Sequence, residues 1–279
     1  MSQDPLQYLP LERWSELQDV FKTDWPRGIS GYCVLETQKY LIENGFDYGF
    51  KVYCPFGDVC NGMVAINEKD KFYEIIVQCP RDDTTKLEDA LRRSNLIDWK
   101  KWIIIPFAPY HIIECVQKAF KNLDWELLYS ETFILDKPLL FEDVSLPLNI
   151  NFGLLSAEHV ELVNSAWPYS YKNSIWYFQL LINMKFGYGL FQDNSPIAWV
   201  FFNESGTLLH MYTVEKERRK GYAELLLKLV SNVLMKENKP VFVYCVKDNL
   251  IACELYKKLG FVKSEPIAWC YLNKHLKYF

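Results

Sequence analysis

The sequence predicts an α/β fold made of two consecutive halves, each a mixed, mostly antiparallel, twisted sheet flanked by helices. The length of 279 residues allows one large domain or two of ordinary size. The composition is that of a globular protein, with 50% hydrophobic and 24% charged residues. Apolar residues switch between helical and strand spacing, and the order of these switches in the first half recurs in the second.

In the first half, apolar spacings of three and four predict helices, and alternation predicts strands. The predicted elements are helices at Leu11–Val20 and Tyr32–Glu43, strands at Gly49–Cys54, Met63–Asn67 and Phe72–Cys79, a helix at Thr85–Ser94, a strand at Lys101–Phe107, a helix at Tyr110–Asn122 and a strand near Leu127–Leu135. The segment Asp136–Pro147 holds two prolines and three acids and is interpreted as a linker. We therefore place two domains at residues 1–137 and 147–279.

In the second half, Ser156 is the expected N-cap of a helix, and Asp193–Ser195 and Glu204–Gly206 are typical hairpin turns. The predicted elements are a strand near Asn151–Leu155, helices at Ala157–Ala166 and Ser174–Phe186, strands at Tyr188–Gln192, Pro196–Asn203 and Thr207–Thr213, a helix at Tyr222–Lys236, a strand at Val241–Val246, a helix at Leu250–Leu259 and a strand at Phe261–Leu272. The halves share no obvious sequence identity, so a duplication is inferred from element order alone.

Charge and composition exclude several classes of protein. A formal net charge of −4 argues against a broad nucleic-acid binder. No segment approaches the ~18 consecutive apolar residues of a membrane span. The amino terminus resembles neither a secretory signal nor a transit peptide, so a cytoplasmic protein is expected. The eight cysteines form no CxxC pair, which favours buried, reduced thiols over a zinc site.

The most informative stretch, here called the phosphate loop, lies between a strand that ends near Thr213 and the helix that follows. Its residues are Arg218, Arg219, Lys220, Gly221, Tyr222 and Ala223. The first backbone N–H groups of a helix are unpaired and the helix dipole is positive there, which suits a pyrophosphate. Gly221 allows phosphate oxygens to approach the backbone closely, and Ala223 keeps the following turn narrow. Basic residues before a helix are also typical of a solvated face, which stays the alternative.

The phosphate loop resembles the (Q/R)-x-x-G-x-(G/A) pyrophosphate-binding signature of the GNAT superfamily of acyl-CoA-dependent N-acyltransferases. It stands after the fourth strand of the second half, as the signature does in that superfamily. Downstream, the stretch Asn249–Phe261, which contains Tyr256, resembles the second signature of the superfamily at the usual distance. The resemblance covers about residues 150–272.

A narrower resemblance is to the glycine N-acyltransferase family. Leu155–Trp167 resembles the opening of that family's carboxy-terminal domain, and Pro196–Trp199 followed by a turn at Gly206 also matches. The resemblance implies transfer of an acyl group from acyl-CoA to the amine of a small acceptor, an amino acid such as glycine or an arylalkylamine. It implies no metal and no cofactor beyond the acyl-CoA cosubstrate.

The family also has a degenerate copy of the fold before this domain, and the first half of the chain fits that description. Its strand Phe72–Cys79 should lead into a phosphate loop and leads instead into Pro80–Thr85, which contains Asp82 and Asp83 and no glycine. Two carboxylates would repel phosphates. The first half is therefore predicted not to bind CoA.

By resemblance, a bulged fourth strand would supply backbone N–H groups around Met211 to the developing oxyanion, and its end near Thr213 would pair with the pantetheine arm. The strand Val241–Val246 would diverge and open a slot for the acyl chain. Tyr256 matches the general acid that protonates the CoA thiolate. Its alternative is packing on a helix face. Asn249 would contact the pantetheine arm, cap the next helix, or do both.

The resemblance does not extend to the general base of the family. The glycine N-acyltransferases place a glutamate where this chain has Thr207, and threonine is not a base near pH 7. His210 is a candidate replacement, although in a regular strand it would face the other way unless a bulge changed the parity. A structural or surface histidine is the alternative. Glu204 and Glu215 are turn acids that are expected to be solvated.

The acceptor side is predicted from an aromatic cluster between the first two helices of the second half. Its members are Trp167, Tyr169, Tyr171 and Trp176. In GNAT folds this segment lies over the acceptor, and aromatic walls suit a small amino acid or an arylalkylamine. Ordinary packing is the alternative for these residues. Two other functions stay open for the chain, a non-catalytic acyl-CoA-binding protein and a structural module for a protein partner.

Overall fold

A computed structural model describes residues 3–69, 72–136, 140–142, 144–171 and 174–273, so the predicted linker lies partly outside the described residues. The chain forms two compact units, one of Met1–Thr132, Cys245–Asn249 and Ser264–Phe279, the other of Phe133–Tyr244 and Leu250–Lys263. Each unit is a mixed, mostly antiparallel sheet with flanking helices, which confirms the predicted fold class. The division into domains at 1–137 and 147–279 stays a prediction.

The helices and strands follow the predicted order closely. In the first part of the chain they are β1 (Leu6–Leu9), α1 (Trp14–Lys22), α2 (Ile29–Glu43), β2 (Lys51–Pro55), β3 (Met63–Lys69), β4 (Phe72–Gln78), α3 (Thr85–Arg93), β5 (Trp102–Pro109), α4 (Tyr110–Ala119) and β6 (Trp125–Ile134). In the rest of the chain they are β7 (Ile150–Leu154), α5 (Val160–Ser165), α6 (Ile175–Asn183), β8 (Gly187–Gln192), β9 (Ser195–Phe202), β10 (Leu208–Thr213), α7 (Tyr222–Lys236), β11 (Phe242–Val246), α8 (Leu250–Lys258) and β12 (Val262–Leu272).

The first unit has the strand order β1-β2-β3-β4-β5-β12-β6. Strand β1, which the sequence did not predict, pairs antiparallel with β2 and buries Leu6 and Leu9. Strands β4 and β5 are parallel, and the last strand of the chain, β12, is antiparallel to β5 from Ile267 to Leu272. Backbone pairing thus places β12 in the first unit, although chain order had assigned it to the second half.

The second unit has the strand order β11-β10-β9-β8-β7. Strands β7 to β10 are joined antiparallel in sequence, and β10 is parallel to β11. The fully buried aromatic residues of this unit include Phe178, Trp199, Phe201 and Phe242. Burial of such large rings contributes strongly to stability. The contact between Phe178 and Phe201 packs α6 against β9.

The N-cap predicted at Ser156 is confirmed. Its backbone N–H donates to Nδ1 of His159 at 3.0 Å, and a 3-10 turn at Ala157–His159 precedes α5. The predicted helix Ala157–Ala166 is therefore part 3-10 and part α-helix. This contact satisfies the backbone N–H of Ser156 at the start of the helix.

The eight cysteines are free thiols, and all except Cys60 are buried. Burial raises the pKa of Cys54 and of Cys270 to about 12, so these thiols stay protonated. Among the described residues, no group of three His, Cys, Asp or Glu side chains is placed to hold a metal ion. Within the same described ranges, no helix has the length and apolar character needed to cross a membrane.

Candidate functional site

The phosphate loop lies where the sequence predicted it, between the end of β10 and the start of α7. Arg219 and Gly221 both have positive φ angles, 64° and 84°. Left-handed residues in a short loop gather backbone N–H groups into a concave site for an anion. A Cβ atom placed on Gly221 would meet no other atom within 4 Å, so the space beside it is open. These features support the predicted pyrophosphate site at the positive end of α7, which stays a prediction.

The three cations of the loop do not have equal freedom. Arg218 Nε donates to the carbonyl oxygen of Thr213 at 3.1 Å, and its guanidinium lies 5.4 Å from the ring centre of Tyr212. Lys220 Nζ donates to Glu217 at 2.8 Å, which raises the pKa of Lys220. Arg219 has no ion pair among the described residues. Arg218 and Lys220 thus brace the loop, and Arg219 is the cation free to reach an anion.

Thr213 ends β10 beside this loop. Its Oγ1 is buried and has no hydrogen-bond partner among the described residues. Buried hydroxyl groups in proteins are nearly always hydrogen-bonded, so an unpartnered one at a candidate site is suited to a polar group of a ligand. This placement supports the predicted contact with a pantetheine arm, which stays a prediction.

The sequence left undecided whether β10 contains a bulge, and the structure shows one. The register between β10 and β9 shifts between Leu209 and Tyr212, and His210 has a φ of 50°. In this register His210 and Met211 have no Cα partner on β9. A bulge interrupts the hydrogen-bonded ladder, which supports the predicted oxyanion contact at the Met211 backbone; that contact stays a prediction.

The neighbouring strand, β11, pairs with the start of β10. Strands β10 and β11 share one Cα pair among the described residues, Leu208 with Val243. Pairing is therefore confined to the start of β10, ahead of the bulge. This agrees with the predicted divergence of the two strands, the geometry required for an acyl slot.

The bulge turns His210 towards the helices, where its ring is mostly buried. The ring lies parallel to Phe201, with 6.1 Å between centroids, and 5.3 Å from Phe178. Nε2 lies 2.8 Å from the carbonyl oxygen of Val163 and 3.3 Å from Nε1 of Trp199. One nitrogen cannot donate to the carbonyl and accept from the indole, and the shorter contact requires a proton on Nε2.

Burial lowers the pKa of His210 to about 4, and the Val163 hydrogen bond offsets only part of that effect. The imidazole is therefore neutral near pH 7 and weakly basic. This environment favours the structural interpretation of His210 over its role as a base, which stays a prediction.

Thr207 is equally unsuited to proton abstraction. It is 3% exposed, and its Oγ1 donates to the carbonyl oxygen of Phe242 at 2.8 Å. The hydroxyl therefore joins the start of β10 to β11. Replacing it by a carboxylate would place a negative group against a carbonyl oxygen.

Of the two turn acids, Glu204 differs from the expectation. The prediction that Glu204 is solvated was wrong, because the residue is 3% exposed and accepts a hydrogen bond from the Tyr177 hydroxyl at 2.8 Å. The side chain of Glu215 is 82% exposed, as expected for a turn acid. The sequence could not show this difference, since the partner of Glu204 lies 27 residues earlier, on α6.

Tyr256 is buried on α8. Its ring contacts Phe133 and Phe261, each at 5.6 Å between centroids. These contacts agree with the packing role and leave the general-acid role a prediction. Asn249, in the first unit, immediately precedes α8, and its backbone N–H donates to the carbonyl oxygen of Val246 at 2.9 Å. Its predicted contact with pantetheine stays untested.

Three of the four predicted acceptor residues, Trp167, Tyr169 and Trp176, belong to one aromatic cluster. Trp167 contacts Tyr169 at 6.1 Å and stacks on Tyr177 at 5.9 Å, and Trp176 contacts Tyr177 at 6.0 Å. Nε1 of Trp176 is buried and has no partner among the described residues. Tyr169 is 51% exposed. Tyr177, at the centre of the cluster, was not predicted, although its position next to Trp176 was a signal.

The counterpart of the phosphate loop in the first unit is occupied by the protein's own acids. Asp83 Oδ1 accepts from the backbone N–H of Thr85 at 3.0 Å, and hydrogen bonds from Thr85 lower the pKa of Asp83. Asp82 accepts from Arg27 at 2.7 Å. The Asp83 carboxylate thus occupies the amino end of α3, which supports the prediction that the first half does not bind CoA.

The chain is similar in sequence to known proteins. A family model described as FR47-like protein matches residues 187–270, which include the phosphate loop and β10. The chain is 25% identical over 215 residues to glycine N-acyltransferase-like protein 2 of Homo sapiens, and the match covers 71% of each chain.

Two solved structures show the fold. An X-ray structure of a Drosophila protein has a TM-score of 0.85 at 20% identity, covering 97% of this chain and 99% of that one. A GNAT-family acetyltransferase from Colwellia psychrerythraea has a TM-score of 0.53 at 12% identity, covering 96% of this chain and 98% of that one. The predicted resemblance to GNAT proteins, and within them to the glycine N-acyltransferases, is confirmed.

Proposed function

We propose that the chain is an acyl-CoA-dependent N-acyltransferase that acylates the amine of a small acceptor. The observation that carries the proposal is the juxtaposition of an open phosphate loop at Gly221 with a bulged strand at Met211, one at each end of the same short segment. The similarity to a glycine N-acyltransferase-like protein supports the same reaction.

Acyl-CoA would supply the activated acyl group as a thioester. The backbone of the phosphate loop and the Arg219 side chain would hold its pyrophosphate, and Thr213 would bond its pantetheine arm. The N–H at Met211 would stabilise negative charge on the acyl oxygen. Tyr256 would return a proton to the departing thiolate. Holding donor and amine together contributes to the rate by removing the entropic cost of their encounter.

The acceptor would lie beside the aromatic cluster of Trp167, Tyr169 and Trp176. These rings offer apolar walls, and the buried Trp176 Nε1 offers a hydrogen-bond donor. A small amino acid such as glycine and an arylalkylamine both suit such a pocket. A panel of the two classes of amine decides between them.

The test is calorimetry with acetyl-CoA followed by turnover with glycine and an arylalkylamine. We expect CoA binding and release of free CoA that depends on the amine. Binding without turnover of any amine would instead support a non-catalytic acyl-CoA-binding protein. Absence of binding would overturn the proposal and favour a structural module.

A further inference from the structure

The turn between β9 and β10 holds a buried acid for which the proposed reaction has no role so far. Glu204 is 3% exposed, and its carboxylate is held by the Tyr177 hydroxyl at 2.8 Å. Glutamate is rarely buried, since taking a carboxylate out of water costs free energy unless hydrogen bonds replace its hydration. A buried carboxylate in a hairpin turn, beside a candidate site, is therefore a candidate for proton chemistry.

Tyr177 links this acid to the bulge through contacting rings. Its ring stacks on Trp167 at 5.9 Å, and Trp167 lies 6.5 Å from the ring of His210. It also contacts Phe178 at 5.4 Å, and Phe178 lies 5.3 Å from His210. Tyr177 is thus one ring away from the residue that precedes Met211, within the aromatic cluster assigned to the acceptor.

The other groups of the hairpin are poorly suited to receive a proton. Residues 195–213 contain three side chains that titrate, those of Glu204, His210 and Tyr212. His210 has a pKa of about 4, and its Nε2–H donates to the carbonyl oxygen of Val163. The ring of Tyr212 is stacked on Trp199 at 4.8 Å and lies under the Arg218 guanidinium. Glu204 is the carboxylate of this hairpin.

We propose that Glu204 receives the proton of the acceptor ammonium through Tyr177, an inference that rests on the N-acyltransferase function proposed above. The N–H bond of the ammonium breaks as the proton passes, directly or through one water, to the Tyr177 oxygen. The hydroxyl proton of Tyr177 passes at the same time to Oε2 of Glu204. The step yields a neutral amine and a neutral glutamic acid, and the tyrosine is unchanged. The acid later releases its proton by the reverse route.

Two variants test this route. Glu204→Gln keeps the size of the side chain and an acceptor for Tyr177, and Tyr177→Phe keeps the ring and its stacking. With an alkylamine at pH 7, we expect each variant to lower kcat/KM by ~10²-fold, the low end for loss of acid–base catalysis. The loss should shrink towards pH 9 as solvent supplies more free amine. It should be small at every pH with an arylamine, which is already neutral.

Glu161→Gln, an exposed acid on α5, is the matched control and should behave as wild type. A loss that is equal for both amines at every pH would mean that Glu204 only supports the fold, and full activity of Glu204→Gln would also overturn the route. If Glu204→Gln melts at a much lower temperature than wild type, Tyr177→Phe decides alone. A wild type that binds acyl-CoA and acylates neither amine would overturn the N-acyltransferase function, and the route with it.

Discussion

Gly221 is the residue on which a bound pyrophosphate would depend most directly, since its missing side chain leaves open the space beside the loop. We expect Gly221→Glu to weaken CoA binding by at least ~2 kcal/mol, roughly thirtyfold, through lost close approach and charge repulsion. Gly45→Glu is the matched control, because Gly45 also has a positive φ and open space but lies in the first unit. Titration calorimetry measures both. Equal CoA affinity in the two folded variants would remove the phosphate-loop assignment.

The packing role and the general-acid role of Tyr256 differ in one respect, since only the second requires the hydroxyl group. If its hydroxyl protonates the thiolate, Tyr256→Phe should lower kcat by ~10²-fold and leave CoA affinity nearly unchanged. The ring contacts with Phe133 and Phe261 would persist in the variant. Steady-state kinetics with binding measured separately gives both quantities. Parallel losses in rate and affinity would indicate a positioning role, and no loss in either would end the assignment.

His210 joins two elements of the second unit, the bulge of β10 and α5, through the carbonyl oxygen of Val163. Its pKa in the folded protein, about 4, is below the ordinary value of 6.5, so between these values the unfolded chain binds more protons. The His210 contribution to stability is therefore present above pH 6.5 and is lost as the pH falls towards 4. The slope reaches at most ~1.4 kcal/mol per pH unit.

We expect wild type to lose stability over this range more steeply than His210→Gln, which keeps a donor for Val163 and cannot titrate. Urea unfolding at pH 7, 5.5 and 4.5 measures the difference. Parallel curves for the two proteins would show that the imidazole titrates normally in the folded state. Because the pKa of His210 is about 4, this residue is not expected to give the rate profile an acidic limb near pH 6.5.

The elements themselves were largely predictable. Helix α7, at Tyr222–Lys236, has the predicted bounds, because a glycine precedes it and its apolar residues recur with helical spacing. Strand β1 was missed, since four residues give too short an alternation to recognise. Whether β10 contained a bulge could not be decided from sequence, because register depends on pairing with β9. The burial of Glu204 depends likewise on α6, a contact between distant parts of the chain.

Element order predicted two similar halves, and the loops that follow β10 and β4 distinguish them. After β10, Gly221 leaves open the space at the amino end of α7. After β4, by contrast, the Asp83 carboxylate accepts a hydrogen bond from the backbone at the start of α3. The pairing of β12 with β5 could not be predicted from chain order, because several strands with a similar alternation of residues offered an edge to which β12 could pair. Similar order therefore does not imply similar binding.

This asymmetry predicts one CoA per chain. Calorimetry with acetyl-CoA should give a stoichiometry of one, and Gly221→Glu should weaken that single binding event by at least the thirtyfold expected above. Asp83→Asn with Asp82→Asn removes two charges from the first unit and should leave the stoichiometry at one, because the loop there has no glycine to admit a phosphate. Two sites per wild-type chain would contradict the prediction. A second site that arises only in the double variant would show that charge alone, and not the shape of the loop, keeps CoA out of the first unit.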